Sequence, residues 1–281
     1  MTIFSTTING ATQIYGILGR PVAHSLSPAM HNAAFRYVGL NAVYVAFPVA
    51  DLANAVAGLR GLQIRGASVT IPFKEVIIPF LDDIDPQAAG IGAVNTVVNR
   101  DGRLRGYNTD WLGAVLALEE KTGIAGKRVL ILGAGGASRA IVFGIQEKGG
   151  QAAVTDVDTN KALALARQLG AEAVASDRLG QYPADILINA TPVGMEHRSG
   201  DIPIDPSLLE RFQVVMDIVY KPLQTRLLQE ATHRGCQVID GLRMLIHQAT
   251  GQFTLWTGRP APLEIMADAA YGSLSEGQRI L

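Results

Sequence analysis

The sequence predicts an α/β protein with two domains, each built on an open parallel sheet. Strand-like apolar runs alternate with helix-like runs along almost the whole chain, with short loops between them, a pattern typical of parallel sheets covered by helices. A glycine-rich turn (Gly133, Gly135 and Gly136) lies in mid-chain, directly after an apolar run. Because 281 residues suit two domains of ordinary size, a complete domain is expected in front of that turn.

The first domain is predicted to mix strands, helices and one hairpin. Asn41–Val49 is rich in Val, Tyr and Phe and is expected to be a strand. Ser27 is expected to cap a helix over Pro28–Val38, with Pro28 at its first position. Asp101-Gly102 is typical of a two-residue hairpin turn. The other predicted segments are the strands Ile14–Leu18, Ala67–Ile71, Thr96–Asn99 and Arg103–Tyr107, the helix Leu52–Gly61, a short helix or turn over Glu75–Leu81, and a helix from Thr109 to about Lys121.

The second domain is predicted to begin its sheet at Arg128. Its expected strands are Val129–Leu132, Ala152–Thr155, Ile186–Asn189, Val214–Ile218 and Gln237–Ile239, and its expected helices are Ser138–Lys148, Asn160–Leu169 and Thr225–Arg234. The tail from Arg243 is predicted to be helical and to fold back on the first domain. We therefore expect residues 1–110 with about 245–281 to bind a substrate, and residues 111–244 to bind a dinucleotide.

Composition excludes several function classes. The net charge is −1 and no basic block is present, so nucleic acid and anionic membranes are not expected partners. No apolar run is long enough for a spanning helix, and the first residues lack the pattern of a secretory signal. Cys236 is the single cysteine and the histidines lack the spacing of a helical zinc pair. We expect a cytoplasmic protein without a metal, acting on a small molecule as a monomer or homodimer.

The glycine turn has the context of a dinucleotide site. Gly133-Ala134-Gly135-Gly136-Ala137-Ser138 follows a predicted strand and opens a predicted helix. In such a turn the glycines allow the backbone to approach a pyrophosphate, which then lies at the helix N-terminus. Ser138 replaces the usual third glycine and is small enough for close packing. A glycine turn that binds nothing is the less favoured interpretation.

Acidic residues at the end of the next predicted strand favour NAD over NADP. Asp156 and Asp158 stand where an acid accepts hydrogen bonds from the adenosine ribose of NAD, and their charge would repel the 2′-phosphate of NADP. Lys161 is the only cation nearby. Asp158 has a second interpretation, as the cap of the following helix.

Polar residues gather at predicted strand ends in the first domain. Ser25 and Ser27 offer two hydroxyls beside a helix N-terminus, which suits a carboxylate. The other candidates are Thr70, Lys74, Asn95 and Asp110. Because ligands of open α/β sheets bind at the carboxyl ends of the strands, we expect these side chains to converge. Lys74 can donate and accept a proton, and an adjacent Asp110 would favour its charged form.

Taken together, these segments resemble the shikimate dehydrogenase family. The similar stretches include Gly19–Pro28, Val69–Lys74, Gly92–Thr96, Gly106–Asp110, Gly133–Ser138, Asn189–Thr191, Asp217–Tyr220 and Gly241–Leu245 with Gln248. They span essentially the whole chain in the family's order. The resemblance implies a Rossmann-type cofactor domain and the reversible reduction of 3-dehydroshikimate to shikimate, a step of aromatic amino-acid biosynthesis.

The resemblance also implies roles for individual residues. Ser25, Ser27 and Tyr220 would hold the substrate carboxylate. Lys74 would exchange the proton with the reacting oxygen and Asp110 would position it. The nicotinamide would transfer its hydride near the backbone of Ile218 and Gly241. The ring hydroxyls would be held by Thr70, Lys74, Asn95, Asp110 and Gln248.

One departure from the family concerns the cofactor. Biosynthetic members usually carry Asn-Arg-Thr after the second Rossmann strand, where the arginine holds the phosphate of NADP, the family's default cofactor. This chain has Asp156-Val157-Asp158, as in the NAD-using quinate/shikimate branch, although that branch often alters the serine pair that is intact here. The alternatives that stay open are a quinate/shikimate dehydrogenase, an enzyme for an amino analogue, and a sensor without catalysis.

Overall fold

The computed structural model describes residues 8–277 and divides into two compact units. The first unit extends to Thr109 and resumes at Gln248, and the second comprises Asp110–His247. Within residues 8–277, no helix is both long and apolar enough to cross a membrane.

The first unit contains a six-stranded sheet that is only partly parallel. Its strands are β1 (Gln13–Gly19), β2 (Ala42–Pro48), β3 (Gly66–Val69), β4 (Asp83–Ile84), β5 (Thr96–Arg100) and β6 (Arg103–Tyr107). The order across the sheet is β2-β1-β3-β5-β6-β4. The prediction of a parallel sheet holds only in part here: β5 and β6 form the predicted antiparallel hairpin, but β5 also runs antiparallel to β3, which was not predicted. The predicted hairpin turn at Asp101-Gly102 reverses the chain, with both residues at positive φ, so β6 follows β5 without a crossover helix.

Helices cover this sheet on both faces. They are α1 (Ser27–Tyr37), α2 (Leu52–Gly61) and α3 (Pro86–Ile91), with α9 (Leu263–Gly277) and the later part of α8 (Gly241–Thr257). One core joins sheet residues such as Val97 and Leu104 to Val56 and Leu59 of α2. The other core is aromatic and stacks His31 on Tyr44, with ring centroids 4.6 Å apart. Burial lowers the pKa of His31 to about 3, against the opposing effect of Gln252, so this histidine is neutral and part of the core.

Helix α1 begins one residue earlier than predicted, and its cap differs. Ser27 is the first helical residue, and the capping position is occupied by Leu26, which has no side-chain oxygen. Ser25 supplies the local contact instead, because its Oγ accepts a hydrogen bond from the Ser27 amide at 3.2 Å. The predicted strand Ala67–Ile71 also ends early, at Val69, since Pro72 cannot donate to a sheet.

The second unit has the fully parallel sheet that was predicted. Its strands are β7 (Arg128–Leu132), β8 (Gln151–Thr155), β9 (Glu172–Ala173), β10 (Ile186–Asn189), β11 (Val214–Asp217) and β12 (Gln237–Ile239). The order is β12-β11-β10-β7-β8-β9, with every pair parallel. This is the strand order of the doubly wound Rossmann fold. One half of the sheet is built outward from β7 and the other half outward from β10, so the strand order reverses between these two neighbouring strands.

The helices of the second unit are α4 (Asp110–Glu119), α5 (Gly136–Glu147), α6 (Thr159–Leu169) and α7 (Arg226–His233). The first residues of α8 complete the unit. Gly144 allows α5 to pack closely on α4, because a Cβ at this position would lie 2.9 Å from Val115. Apolar residues of α4, α5 and the strands then form one buried core on this face.

Candidate functional site

In the first unit, the predicted substrate residues lie at one edge of the sheet. Strands β1, β3 and β6 end at this edge, and β5 begins there because it runs in the opposite direction. The register pairs Ser68 with Thr96 and Thr96 with Tyr107. The sequence therefore places Ser25 and Ser27 after β1, Thr70 and Lys74 after β3, and Asn95 directly before β5.

Backbone hydrogen bonds join the segments that carry Lys74 and Asn95. The Lys74 carbonyl accepts from the Val94 amide at 2.7 Å, and the Asn95 carbonyl accepts from the Val69 amide at 2.7 Å. The Asn95 amide in turn donates to the Tyr107 carbonyl at 3.0 Å. These bonds fix the backbone of Lys74 against the start of β5, and its side chain is partly buried.

Asn95 makes several hydrogen bonds at this edge. It is buried, with 2% of its surface exposed, and its Oδ1 accepts from the Thr109 amide at 2.7 Å. Its Nδ2 donates to Thr109 Oγ1 at 3.0 Å and to Gln248 Oε1 at 3.3 Å. The structure thus brings Asn95 and Gln248 together, although 153 positions separate them in the sequence. Asp110 directly follows Thr109 and opens α4.

The serine pair lies at the start of α1. Ser27 is 3% exposed, and Ser25 is partly buried beside it. The first amides of a helix carry partial positive charge and lack partners within the helix. The cap residue Leu26 makes no side-chain hydrogen bond, and the Ser27 amide is bonded to Ser25 Oγ, so the two serine hydroxyls beside the helix N-terminus are the groups that suit a carboxylate at this end.

In the second unit, the glycine turn fits a dinucleotide. Gly133 has φ +100, and a Cβ there would lie 3.0 Å from the Ala190 carbonyl at the end of β10. A Cβ at Gly135 would meet nothing within 4 Å, so the backbone is open to a large group on that side. Helix α5 begins at Gly136 without any side-chain cap. Uncapped amides at the crevice between β7 and β10 are what a pyrophosphate requires.

Asp156 and Asp158 organise the loop after β8. Asp156 accepts hydrogen bonds from the Ala134 amide and the Asp158 amide, both at 2.8 Å. Asp158 accepts from the Asn160 amide at 3.1 Å and caps α6, so the capping interpretation holds for this residue. Asp156 keeps its carboxylate beside the glycine turn, and Val157 between the two acids is fully exposed.

A buried acid at the end of β11 has no role predicted from the sequence. Asp217 is fully buried and accepts from Asn189 Nδ2 at 2.9 Å, Thr225 Oγ1 at 2.7 Å and the Val219 amide at 3.0 Å. Burial raises its pKa to about 6, against the effect of these three donors. The only indication in the sequence was a polar residue ending each of two apolar strands, β10 and β11.

Asp217 shapes the segment that carries Ile218 and Tyr220. The Ile218 carbonyl lies so close to α8 that a Cβ at Gly241 would be 2.4 Å from it, so Ile218 and Gly241 lie together. Burial raises the pKa of the partly exposed Tyr220, and its phenol therefore remains a hydrogen-bond donor at neutral pH.

Histidine, cysteine and acidic side chains form no group of three or more suited to a metal ion within the described part of the chain. A polar sheet edge in one unit and a Rossmann turn in the other define the class of two-domain, dinucleotide-dependent oxidoreductases.

Comparison with known proteins places the chain more narrowly. Residues 17–97 match the model of the shikimate dehydrogenase substrate binding domain, and residues 241–271 match that of the shikimate 5′-dehydrogenase C-terminal domain. A shikimate dehydrogenase (NADP(+)) of Thermococcus kodakarensis is 48% identical, with 94% of this chain and 98% of the relative covered. The chain belongs to the shikimate dehydrogenase family, as its motifs predicted.

Solved structures of the family have the same fold. Shikimate 5-dehydrogenase from Thermus thermophilus, in complex with NADP(H) and shikimate, is 40% identical with a TM-score of 0.87, and the match covers 94% of this chain and 100% of that one. The enzyme from Listeria monocytogenes, in complex with shikimate and NAD, is 36% identical with a TM-score of 0.86, covering 93% and 97%. The two-domain α/β prediction is therefore confirmed.

Proposed function

We propose that this protein interconverts 3-dehydroshikimate and shikimate with a nicotinamide dinucleotide. The observation that carries the proposal is the bonded arrangement of Lys74, Asn95, Thr109 and Gln248 at one sheet edge, in a chain of the shikimate dehydrogenase family. A polyhydroxylated ring needs several hydrogen-bonding groups of fixed direction, and this edge offers them on buried, mutually bonded elements. The glycine turn of the second unit offers the matching cofactor site.

Two groups of residues divide the substrate between them in this proposal. Ser25 and Ser27, at the N-terminus of α1, hold the carboxylate together with the phenol of Tyr220. Thr70, Lys74, Asn95, Asp110 and Gln248 hold the ring oxygens. The support for this division is chemical, because hydroxyl and phenol donors with helix amides suit a carboxylate, while amide, hydroxyl and charged groups suit ring hydroxyls.

The proton step falls to Lys74. A bound nicotinamide supplies or removes a hydride at the carbon that carries the reacting oxygen. That oxygen gains negative charge during reduction, and the Lys74 ammonium stabilises it and then donates a proton to it. In the reverse direction the neutral amine accepts the hydroxyl proton. Asp110, the residue after Thr109, has the role of positioning Lys74 in this proposal.

A pair of lysine variants tests this assignment. Lys74→Ala is expected to lower kcat by at least about 100-fold, the usual contribution of a positioned proton donor, while shikimate still binds in a calorimetric titration. Lys121→Ala, at an exposed lysine of the other unit, should behave as wild type. Turnover by Lys74→Ala at more than a tenth of the wild-type rate would refute the role.

For the cofactor, we propose a preference for NAD over NADP. Relatives named for NADP(+), such as the one from Thermococcus kodakarensis, indicate the opposite. The proposal rests on the loop after β8. Asp156 holds a carboxylate against the glycine turn, and Val157 places an apolar side chain where a cation is needed for the 2′-phosphate. Like charges about 4 Å apart at an effective dielectric of about 20 cost roughly 4 kcal/mol before screening.

The exposed Val157 provides a clean test. Val157→Arg is expected to raise kcat/KM for NADP by about tenfold or more, because an arginine pairs with phosphate in two hydrogen bonds. Val157→Gln introduces a long polar side chain without the charge of arginine, and it should change kcat/KM for NADP little. The preference is refuted if the wild-type protein binds NADP tightly and NAD weakly in a titration.

A catabolic quinate/shikimate dehydrogenase and an enzyme for an amino analogue are second candidates. The acidic loop after β8 favours the first, whereas the intact Ser25 and Ser27 favour shikimate. Relative kcat/KM values for the two acids decide between them. Assembly as a monomer or homodimer, cytoplasmic location and the predicted division into a substrate domain and a cofactor domain stay predictions.

A further inference from the structure

A continuous chain of buried hydrogen bonds extends from the aromatic core of the first unit to Asn95. Tyr44 Oη donates to Ser68 Oγ at 2.7 Å, and Ser68 Oγ donates to Gln252 Oε1 at 2.8 Å. Gln252 Nε2 donates to Thr96 Oγ1 at 3.1 Å, and Thr96 Oγ1 donates to Asn95 Oδ1 at 2.7 Å. All five side chains are buried. The sequence reasoning assigned a role only to the last of them.

Two backbone groups fix the direction of this chain. Gln252 Nε2 also donates to the Asn95 carbonyl at 3.2 Å, and a carbonyl can only accept. The Gln252 amide therefore cannot rotate by half a turn without placing its oxygen against another oxygen. At the other end, the Thr109 amide can only donate, and it faces Asn95 Oδ1 at 2.7 Å.

The consequence is a single orientation for the Asn95 amide. Thr96 accepts from Gln252 and so has its one proton free to donate to Asn95 Oδ1. With Oδ1 facing both Thr96 and Thr109, the Nδ2 group is the one directed to Gln248. Gln248 accepts there through Oε1, which leaves its own NH₂ as the group it offers to other partners.

We infer that Thr96 and Gln252 are positioning residues that hold the Asn95 amide in the orientation that receives Gln248 Oε1, so that the Gln248 NH₂ group is the donor this pair directs to a substrate oxygen. The inference rests on the proposed function and narrows its substrate chemistry. Both N–H groups of Asn95 Nδ2 are engaged, by Thr109 Oγ1 and Gln248 Oε1, so the pair offers one amide donor, which suits a ring hydroxyl oxygen and disfavours an ammonium group, which has no acceptor. A buried network of this kind fixes one orientation because any reversal leaves buried polar groups unpaired.

Three single variants and one double variant at positions 96 and 252 test the inference. Thr96→Val removes the hydroxyl at nearly constant volume, and we expect KM for shikimate to rise about fivefold, as for one lost hydrogen bond. Because neither proton transfer nor the cofactor site is touched, kcat and the KM for the cofactor should change less than twofold. Thr96→Ser keeps the hydroxyl and should restore the wild-type KM. Gln252→Met should raise the KM for shikimate by a similar factor. The KM of the double variant with Thr96→Val should be only slightly above that of the more affected single variant, because both residues act through one chain of hydrogen bonds.

Val97→Ala is the matched control for lost stability. Val97 is fully buried next to Thr96, but its side chain lies in the opposite core. This variant should lower the melting temperature at least as much as Thr96→Val with an unchanged KM for shikimate. If Thr96→Val leaves KM unchanged, or if Val97→Ala raises it equally, the positioning role is overturned while the proposed function stands. If wild-type protein does not turn over shikimate, the proposed function falls, and the inference with it.

Discussion

At the residue scale, Asp217 is a buried acid that shapes the segment after β11 through hydrogen bonds. Three donors hold its carboxylate, no salt bridge to it occurs among residues 8–277, and burial raises its pKa to about 6 from an ordinary 3.8. Between these values the folded protein retains a proton that the unfolded chain has lost. The stability of the folded protein therefore falls as the pH rises from about 4 to about 6. Above that range the full cost of burying the ionised Asp217 carboxylate remains.

Asp217→Asn is expected to remove this pH dependence. Asn keeps an acceptor for Asn189 and Val219, and the Thr225 hydroxyl can accept from its new NH₂. The free energy of unfolding is measured in urea at several values between pH 4 and pH 7 for the wild type and the variant. Over that interval the wild type should lose about 2 kcal/mol more of this free energy than the variant. Parallel pH profiles would show that the Asp217 pKa is not raised in the folded state.

The residue types at the site were predictable, but their hydrogen-bond partners were not. Ser25, Lys74 and Asn95 follow or precede apolar runs, so their place at a sheet edge follows from the pattern. Thr96 and Asp217 are also polar residues at strand ends, and Gln252 lies within α8. Only the fold shows that Thr96 and Gln252 are bonded to Asn95 and that Asp217 is bonded to Asn189 and Thr225. Asp158 had two interpretations; its bond to the Asn160 amide shows that it caps α6, and its role toward the cofactor stays a prediction.

At the element scale, the close approach of Trp256 to β3 depends on Gly66. A Cβ at Gly66 would lie 2.3 Å from Trp256 Nε1, which donates to the Val97 carbonyl at 3.0 Å. Gly66→Ala is therefore expected to destabilise the protein by about 2 kcal/mol, as overpacked core substitutions do. Gly58→Ala is the counterpart in α2, where a Cβ meets nothing within 4 Å, and it should stabilise by about 0.5–1 kcal/mol. Thermal unfolding of both variants measures their changes in stability. Changes of the same sign in the two variants would contradict the packing described for Gly66 and Gly58.

A second contact at this scale joins the end of α4 to the start of α8. Glu120 accepts from Arg243 Nε at 2.9 Å and contacts His247 Nε2 at 2.6 Å. Burial acts to raise the pKa of Glu120, but hydrogen bonds and charges from Arg243 and His247 outweigh it and hold the pKa below its usual range. The stability that this network adds is present at neutral pH and is lost as the pH falls through the lowered pKa.

Neighbouring glutamates allow a matched test of that network. Glu120→Gln is expected to cost about 1–2 kcal/mol at pH 7, since hydrogen bonds to charged groups are lost. Glu119→Gln removes only an exposed pair with Lys148 at 2.9 Å and should change stability by less than about 0.5 kcal/mol. Chemical denaturation at low and high salt provides the comparison, and equal losses in the two variants would rule out a special role for Glu120.

At the scale of the whole molecule, the sequence predicts the second unit better than the first. Its strands are apolar runs separated by helices, and short right-handed crossovers leave little freedom in their order. The first sheet mixes both directions because the hairpin at Asp101-Gly102 turns β6 back beside β5, and β5 itself lies beside β3. Local sequence patterns predict the hairpin of β5 and β6, but they do not predict that β5 pairs with β3. The pairing of strands that are distant in the sequence is decided by the packed core.

Oxidation of shikimate with a nicotinamide dinucleotide by this protein can be measured in one assay. Purified protein is mixed with shikimate and either NAD or NADP, and the reduced nicotinamide is followed by its near-ultraviolet absorbance, with quinate in a parallel series. We expect rapid, shikimate-dependent reduction that is faster with NAD than with NADP and slower with quinate. Absence of shikimate-dependent reduction with either cofactor would refute the proposed function.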